Sequence, residues 1–382
     1  MDRELYGQSL RQILDSQSPW GSYIASPIFP TYQYCWLRDG SFIAHAMDMA
    51  GEFDSARAFF RWVGSTILKY ATKVEKVQHY MQASLPINKD DMLHTRYTLD
   101  GNEVNVDSSW GNAQIDGYGT WLWALAEHLR LSKDTGLVKE LSEAIHITLR
   151  YLTLVWKLPG YDCWEEHPDF LHPYSLATVF SGFKASQFLS QHGQINIASM
   201  RLEDLVGEVK EFILHFGVHQ GRLTKHIMPG KISGSTSSAL AVGVDSSLIG
   251  VSVPYGVLVP DDPIMWATIQ AIESELHRPK GGVYRYKADV YYGGGEWLLL
   301  TAWLGWYYAT LGKFDQAEAL CRWVEGQADE HGDFPEQVSD HLLAPQHYSP
   351  WLQKWGPVAK PLTWSHAMYV ILVNAINDSQ PQ

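Results

Sequence analysis

Cysteine is scarce: Cys35, Cys163 and Cys321 are three among 382 residues, odd in number and far apart. That spacing gives neither a disulfide framework nor a metal knuckle, and it suits a reducing compartment. Charge is sparse too. Only 19% of residues are charged, and 29 Lys and Arg stand against 42 Asp and Glu, for a net charge of −13. No basic cluster interrupts this balance, so nucleic acid and anionic membranes are poor partners. No apolar run is long enough to cross a bilayer. The opening "MDRELYGQSLRQIL" is charged throughout and lacks the apolar stretch of a signal peptide. It reads as an amphipathic helix, and the expected location is cytoplasmic. A P-loop is missing, since "GKIS" at 230–233 lacks the spacing, and so are HExxH and a nucleophile elbow. Sixteen scattered histidines make no ligand set. No metal and no cofactor is expected.

What is abundant is aromatic: 16 Trp and 20 Tyr. Flat rings that also carry an N–H or O–H suit a sugar, which has apolar C–H faces and a hydroxyl rim. Hydrophobic residues make up 46% of the chain, enough for a large core. Apolar residues recur at three- and four-residue spacing over 41–51, 116–132, 137–156, 174–192, 261–276, 296–312, 313–327 and 362–376, which predicts about a dozen helices once weaker stretches are added. Asp262 before Pro263 marks a helix start, and Gly312 marks a stop. Between the helices lie long loops at 73–115, 157–172, 218–243, 277–295 and 331–361, rich in aromatics and carboxylates. Loops of that length in a compact chain are usually functional or disordered, and their Trp, Arg and carboxylates favour function. One, "HTRYTLDGNEVNV" (94–106), alternates about Asp100-Gly101 and predicts a hairpin. No linker divides the chain, so 1–382 reads as a single domain with a site at one end of a helical barrel.

Two carboxylate stretches stand out. "YDCWEEHPDF" (161–170) sets Glu165 beside Glu166, and "HGDFPEQVSD" (331–340) places Glu336 after a helix end. Each glutamate alone is adequately explained as an acid at a helix N-terminus. Two such loops flanked by aromatics favour a paired-carboxylate hydrolase, in which one acid protonates the leaving oxygen and the other activates water or attacks the sugar.

Five stretches, in order, resemble glycoside hydrolase family 15, the glucoamylase-like inverting enzymes. They are "YQYCWLRDG" (32–40), "SSWGNAQIDGYG" (108–119), "YDCWEEH" (161–167), "YRYKADVYYGGGEW" (284–297) and "FPEQVSD" with "PLTWSHA" (334–367). The resemblance implies an all-α (α/α)6 barrel, six inner helices ringed by six outer ones, with long loops and a small β-hairpin at the mouth. It implies Glu165 as general acid and Glu336 as general base. Arg38 and Asp39 match the pair that holds the terminal glucose, beside Trp36 of the same motif. Trp110, Trp164 and Trp297 match aromatic walls. Glu166 and Arg285 match residues on the leaving-group side, and Tyr32 and Tyr291 match tyrosines near the reacting carbon. Contact with Trp164 and Glu166 is expected to raise the pKa of Glu165.

The appended domains common in the family are not expected here, since its motifs run from about residue 32 to 367. Short α-glucosides such as isomaltose are therefore the expected substrates. Malto-oligosaccharides and trehalose are the alternatives, and a non-catalytic sugar-binding barrel is the rival from another class. Retention of Glu165, Glu336, Arg38 and Asp39 argues against the last. The aromatic 341–361 loop is expected to shape the leaving-group side.

Overall fold

The computed structural model describes residues 1–104, 111–197, 200–228 and 243–379. Its helices fall into two kinds, and the difference is written in their residues. Leu37–Met49 is buried on every side from Leu37 to Asp48, and Leu298–Thr310 is nearly so. A helix apolar all round belongs inside a ring of others. In Phe314–Glu325 only Ala317, Leu320, Cys321 and Val324 are buried, a single stripe at three- and four-residue spacing. Such a helix covers a core with one face and meets water with the other.

The mostly buried elements form a closed ring. Leu37–Met49 packs on Asp116–Ser132, then come Pro173–Gly193, the 3-10 turn Ser246–Val251, Leu298–Thr310 and Thr363–Ser379, which returns to Leu37–Met49. Each has an outer mate: in the same order Phe53–Lys69, Ser142–Val155, Leu202–Phe216, Pro263–Leu276, Phe314–Glu325 and, for Thr363–Ser379, Arg3–Asp15. This is an (α/α)6 barrel. The chain's first helix thus packs on its last, with His366 Nδ1 3.0 Å from Ser9 Oγ. The fourth inner member is shorter than six full helices would require. Pro254 cannot extend it, and Gly256 follows with φ +65°.

One inner contact depends on missing side chains. A Cβ on Gly119 would sit 2.2 Å from the Thr178 carbonyl oxygen, and Gly182 faces Gly119 across the same contact. Asp116–Ser132 and Pro173–Gly193 can approach this closely only because both positions are glycine.

Several expectations change in detail. Residues 73–82, read as part of a loop, belong to a helix, Ala71–Gln82, that buries Val74 and Val77. The helix expected over 137–156 is broken into Thr135–Glu140 and Ser142–Val155. The predicted hairpin does turn at Gly101, φ +78°, but Arg96–Tyr97 pairs chiefly with Cys35–Trp36. A second short ribbon joins Glu296–Trp297 to Gln337–Val338. Asp262 caps its helix as expected, accepting from the Ile264 N–H at 2.8 Å.

Candidate active site

The inner elements all begin at the same end of the barrel, and the candidate residues gather there. Asp39 lies in the first turn of one, Asp116 opens the next, and Trp297 and Trp364 lie at the starts of two others. Asp245 caps the 3-10 turn through the Ser247 N–H at 2.8 Å. Helix N-termini carry partial positive charge, so this end of the ring favours carboxylates. The two short ribbons fix the loops above it. One holds Trp36 and Arg96 side by side, and the other sets Gln337, next to Glu336, against Trp297.

The 161–170 stretch is a turn rather than a helix start, so the helix-dipole account of Glu165 fails. Asp162 organises it. Its Oδ1 accepts the N–H groups of Trp164 at 3.0 Å and Glu166 at 2.9 Å, and its carbonyl accepts that of Glu165 at 3.0 Å. Glu165 has φ +63° and His167 φ +53°, a left-handed backbone that sends successive side chains to different walls. Trp164 donates its indole N–H to Asp245 at 3.0 Å and packs on Trp297, ring centroids 5.4 Å apart. Glu165 turns the other way, accepting from Trp36 Nε1 at 2.5 Å and from Arg96 Nη1 at 3.2 Å. Glu166 faces a third wall, where Arg285 lies 3.4 Å away and the Tyr286 hydroxyl donates to it. Adjacent in sequence, the three carry their polar groups to different partners.

The carboxyl that does rise is Glu336. Burial pushes it to about 7, against the pull of the Tyr32 hydroxyl and the charge of Arg285. The Tyr32 hydroxyl donates to Glu336 Oε1 at 3.0 Å, which leaves its oxygen to accept from Tyr291 at 2.8 Å. Glu336 Oε2 is buried without a protein partner. Glu336 sits on a loop, its N–H bonded to the Ala359 carbonyl at 2.9 Å, so here too the helix-terminus account fails. Tyr32 and Trp36 lie edge to face at 5.6 Å and separate the two acids, Trp36 reaching Glu165 and Tyr32 reaching Glu336.

Arg38 and Asp39 form a buried pair at 3.0 Å, with Asp116 at 3.3 Å on the other side of the guanidinium and Trp364 stacked beneath it. Burial lifts Asp39 to about 6, opposed by Arg38 and reinforced by Glu165 and Asp116. Asp39 does not cap its helix, which has no side-chain cap. Arg285 is clamped by Asp289 at 2.5 and 2.7 Å and faces the rings of Trp164, Tyr286, Tyr291 and Trp297 at 5.1–5.4 Å. The 341–361 loop carries a helix, Tyr348–Trp355, whose Trp351 backs Tyr291 at 4.9 Å.

The structure thus brings together Glu165, Glu336, Arg38, Asp39, Tyr32, Trp36, Trp164, Glu166, Arg285, Tyr291 and Trp297. Trp110 lies outside the described residues. Arg96, Asp116, Asp162, Lys225, Asp245, Tyr286 and Asp289 were not singled out. Asp116, Asp162, Tyr286 and Asp289 stand inside the quoted motifs, and Arg96 inside the predicted hairpin, so polar residues between the familiar ones were the available signal. Lys225 and Asp245 had none.

Two other features offer polar or charged groups outside this cluster. Asp162, His172 and His226 offer ligand atoms within 4.8 Å of one another. The Lys225 ammonium already supplies positive charge there, 3.6 Å from Asp162, and the two histidines meet Nδ1 to Nδ1 at 3.1 Å, as a neutral hydrogen-bonded pair would. A groove of about 360 Å³ lies between the 17–21 turn and the Phe53–Lys69 helix, lined by Trp20, Arg57 and Arg61. It contains neither glutamate, and both arginines are paired, with Asp134 and Glu140.

Comparison with known proteins bears on the family and the fold. The family model for glycosyl hydrolases family 15 matches residues 1–330. An isomaltose glucohydrolase of Kribbella flavida is 36% identical over 98% of this chain and 92% of its own length. A glycosidase solved as wild type superposes with a TM-score of 0.89 at 36% identity, covering 99% of this chain and 97% of that one. A variant of a glycosidase solved in complex with glucose superposes at 0.90. A bacterial glucoamylase complexed with acarbose shares the fold, with a TM-score of 0.74 at 21% identity over 99% of this chain and 56% of that one.

Proposed function

Because this chain belongs to glycosyl hydrolases family 15, we propose that it cleaves single glucose units from the non-reducing end of short α-glucosides, with isomaltose and its α-1,6-linked homologues as preferred substrates. It is a glycoside hydrolase. The observation that carries the mechanistic reading is the pair of glutamates, Glu336 buried and Glu165 half-buried, held by different partners on either side of Tyr32 and Trp36.

In this reading Glu336 is the general base. It takes a proton from water as the water oxygen attacks the anomeric carbon, and the glycosidic bond breaks on the opposite face of the sugar. Glu165 gives its proton to the departing oxygen, so the aglycone leaves as a neutral alcohol. The buried Glu336 Oε2, without a protein partner, suits a group whose partner is a water, while Tyr32 holds the other oxygen. Arg38 and Asp39 bind the terminal glucose and enforce exo attack. Glu166 and Arg285 meet the leaving sugar, and Trp164, Trp297 and Tyr291 form walls against its C–H faces. The whole chain, 1–382, acts as one catalytic barrel. Its three cysteines are buried and free, which suits a cytoplasmic enzyme. Among the described residues no helix is long and apolar enough to cross a membrane.

The preference for isomaltose is supported by the identity to the Kribbella enzyme along nearly its full length. Glucose release from isomaltose, maltose, trehalose and isomaltotriose, compared by kcat/KM, tests it. The highest value on isomaltose or isomaltotriose is the expected result. The highest value on maltose or trehalose would reassign the linkage, and no release from any would overturn the catalytic reading.

A further inference from the structure

Behind the 161–170 turn lies a buried cation that touches no residue proposed to bind sugar except through its neighbours. Lys225 is 8% exposed and its ammonium is fully enclosed. Nζ sits 2.9 Å from Asp245 Oδ2, 3.6 Å from Asp162 Oδ2 and 3.1 Å from the centre of the Tyr286 ring. Its segment is stitched to the exit of the same turn, where Leu171 and Ile227 exchange backbone hydrogen bonds at 3.1 and 2.7 Å.

The two carboxylates that Lys225 joins hold Trp164 at both ends. Asp162 takes the Trp164 backbone N–H, and Asp245 takes the indole N–H. Asp162 also takes the Glu166 N–H, so the residues on either side of Glu165 hang from one carboxyl. We propose that Lys225, with Asp245, is a positioning residue that holds the Trp164–Glu166 turn in the geometry from which Glu165 protonates the leaving oxygen. The proposal rests on Glu165 being the general acid.

The electrostatics say why a cation is required. Burial lifts Asp162 to about 6 even with Lys225 drawing it down. Burial also opposes the ionised form of Asp245, and Lys225 with Ser247 outweighs it, keeping that carboxyl below its ordinary range. Without the ammonium, two carboxylates would share a dry site, and one would take up a proton or move away. Either change weakens an acceptor that fixes Trp164. A displacement on the order of 1 Å at a reacting group can cost about 100-fold in rate. Lys225 cannot itself meet substrate, because its charged end is enclosed.

The alternative is that Lys225 only balances charge and contributes to folding. The two differ in which substrate suffers. α-Glucosyl fluoride has a leaving group that needs no proton, whereas isomaltose needs one. Lys225→Met and Asp245→Asn should each lower kcat on isomaltose by about 100-fold, and kcat on α-glucosyl fluoride at least about tenfold less. Asp245→Asn keeps an acceptor for the indole and loses only the charge, so it serves where Lys225→Met does not fold. Equal losses on the two substrates, or none, in whichever variant folds would overturn the proposal. Glu165→Gln, measured alongside, separates the two levels of argument. If it discriminates between the substrates and the other variants do not, positioning fails and the acid assignment stands. If it does not discriminate, the acid assignment and the proposal fall together.

Discussion

The Tyr32 hydroxyl donates to Glu336 at 3.0 Å, 304 residues along the chain. This bond stabilises the ionised carboxylate, and burial still lifts it to about 7. A base must be ionised, so its activity is lost as pH falls through its pKa. The acid limb of kcat/KM should therefore lie near pH 7 in the free enzyme. Tyr32→Phe removes a donor to the charged form and should move that limb to higher pH. A pH–rate profile on isomaltose checks this; an unmoved limb, or one moved to lower pH, would detach Tyr32 from the base.

The same shift has a signature in stability. The fold holds Glu336 above its ordinary value of 4.5, so the native state binds more protons than the unfolded chain between 4.5 and about 7. Stability attributable to this group falls as pH rises across that window and is level above it. Glu336→Gln cannot ionise and should gain on the wild type over that interval, by no more than about 3 kcal/mol. Urea unfolding of both proteins at pH 4.5 and pH 8 measures it, and a constant difference between them would contradict the burial account.

Glu165→Gln should reduce turnover of isomaltose by several orders of magnitude while sparing α-glucosyl fluoride to a large degree, because an acid helps in proportion to the basicity of the leaving oxygen. Equal losses on the two would shift the acid role to Glu166, whose carboxyl faces Arg285 and Tyr286.

Asp39→Asn keeps the size of the side chain and leaves Arg38 its second acid, Asp116. If Asp39 holds hydroxyls of the terminal glucose, kcat/KM should fall on the order of 10- to 100-fold, the worth of a charged hydrogen bond. An unchanged kcat/KM would leave Asp39 as a structural partner of Arg38 alone.

The fold was legible because barrel helices announce themselves by period. Leu298–Thr310 is apolar all round and Phe314–Glu325 carries one stripe, and the two patterns lie next to each other in the chain. The short Ser246–Val251 member was hidden because six residues are too few to show a period. Most site residues were legible as motif members. Their directions were not: φ +63° at Glu165 depends on how Asp162 ties the turn, and no spacing rule reports that. Lys225 and Asp245 lie far apart in sequence and are joined only by the fold. Their partnership with Asp162 has no local trace, since a lysine destined for burial looks like any other until its carboxylates are in place.

In the proposed mechanism water, held by Glu336, attacks opposite a leaving oxygen protonated by Glu165. Inversion then follows, since the attacking oxygen and the leaving oxygen occupy opposite faces of the same carbon. Proton NMR of the anomeric signals during the first moments of isomaltose hydrolysis, before mutarotation, tests it most directly. The account predicts that β-glucose appears first and α-glucose only as the sugar equilibrates. Initial α-glucose would require a carboxylate that attacks carbon itself, and would contradict the assignment of Glu336 as a base acting on water.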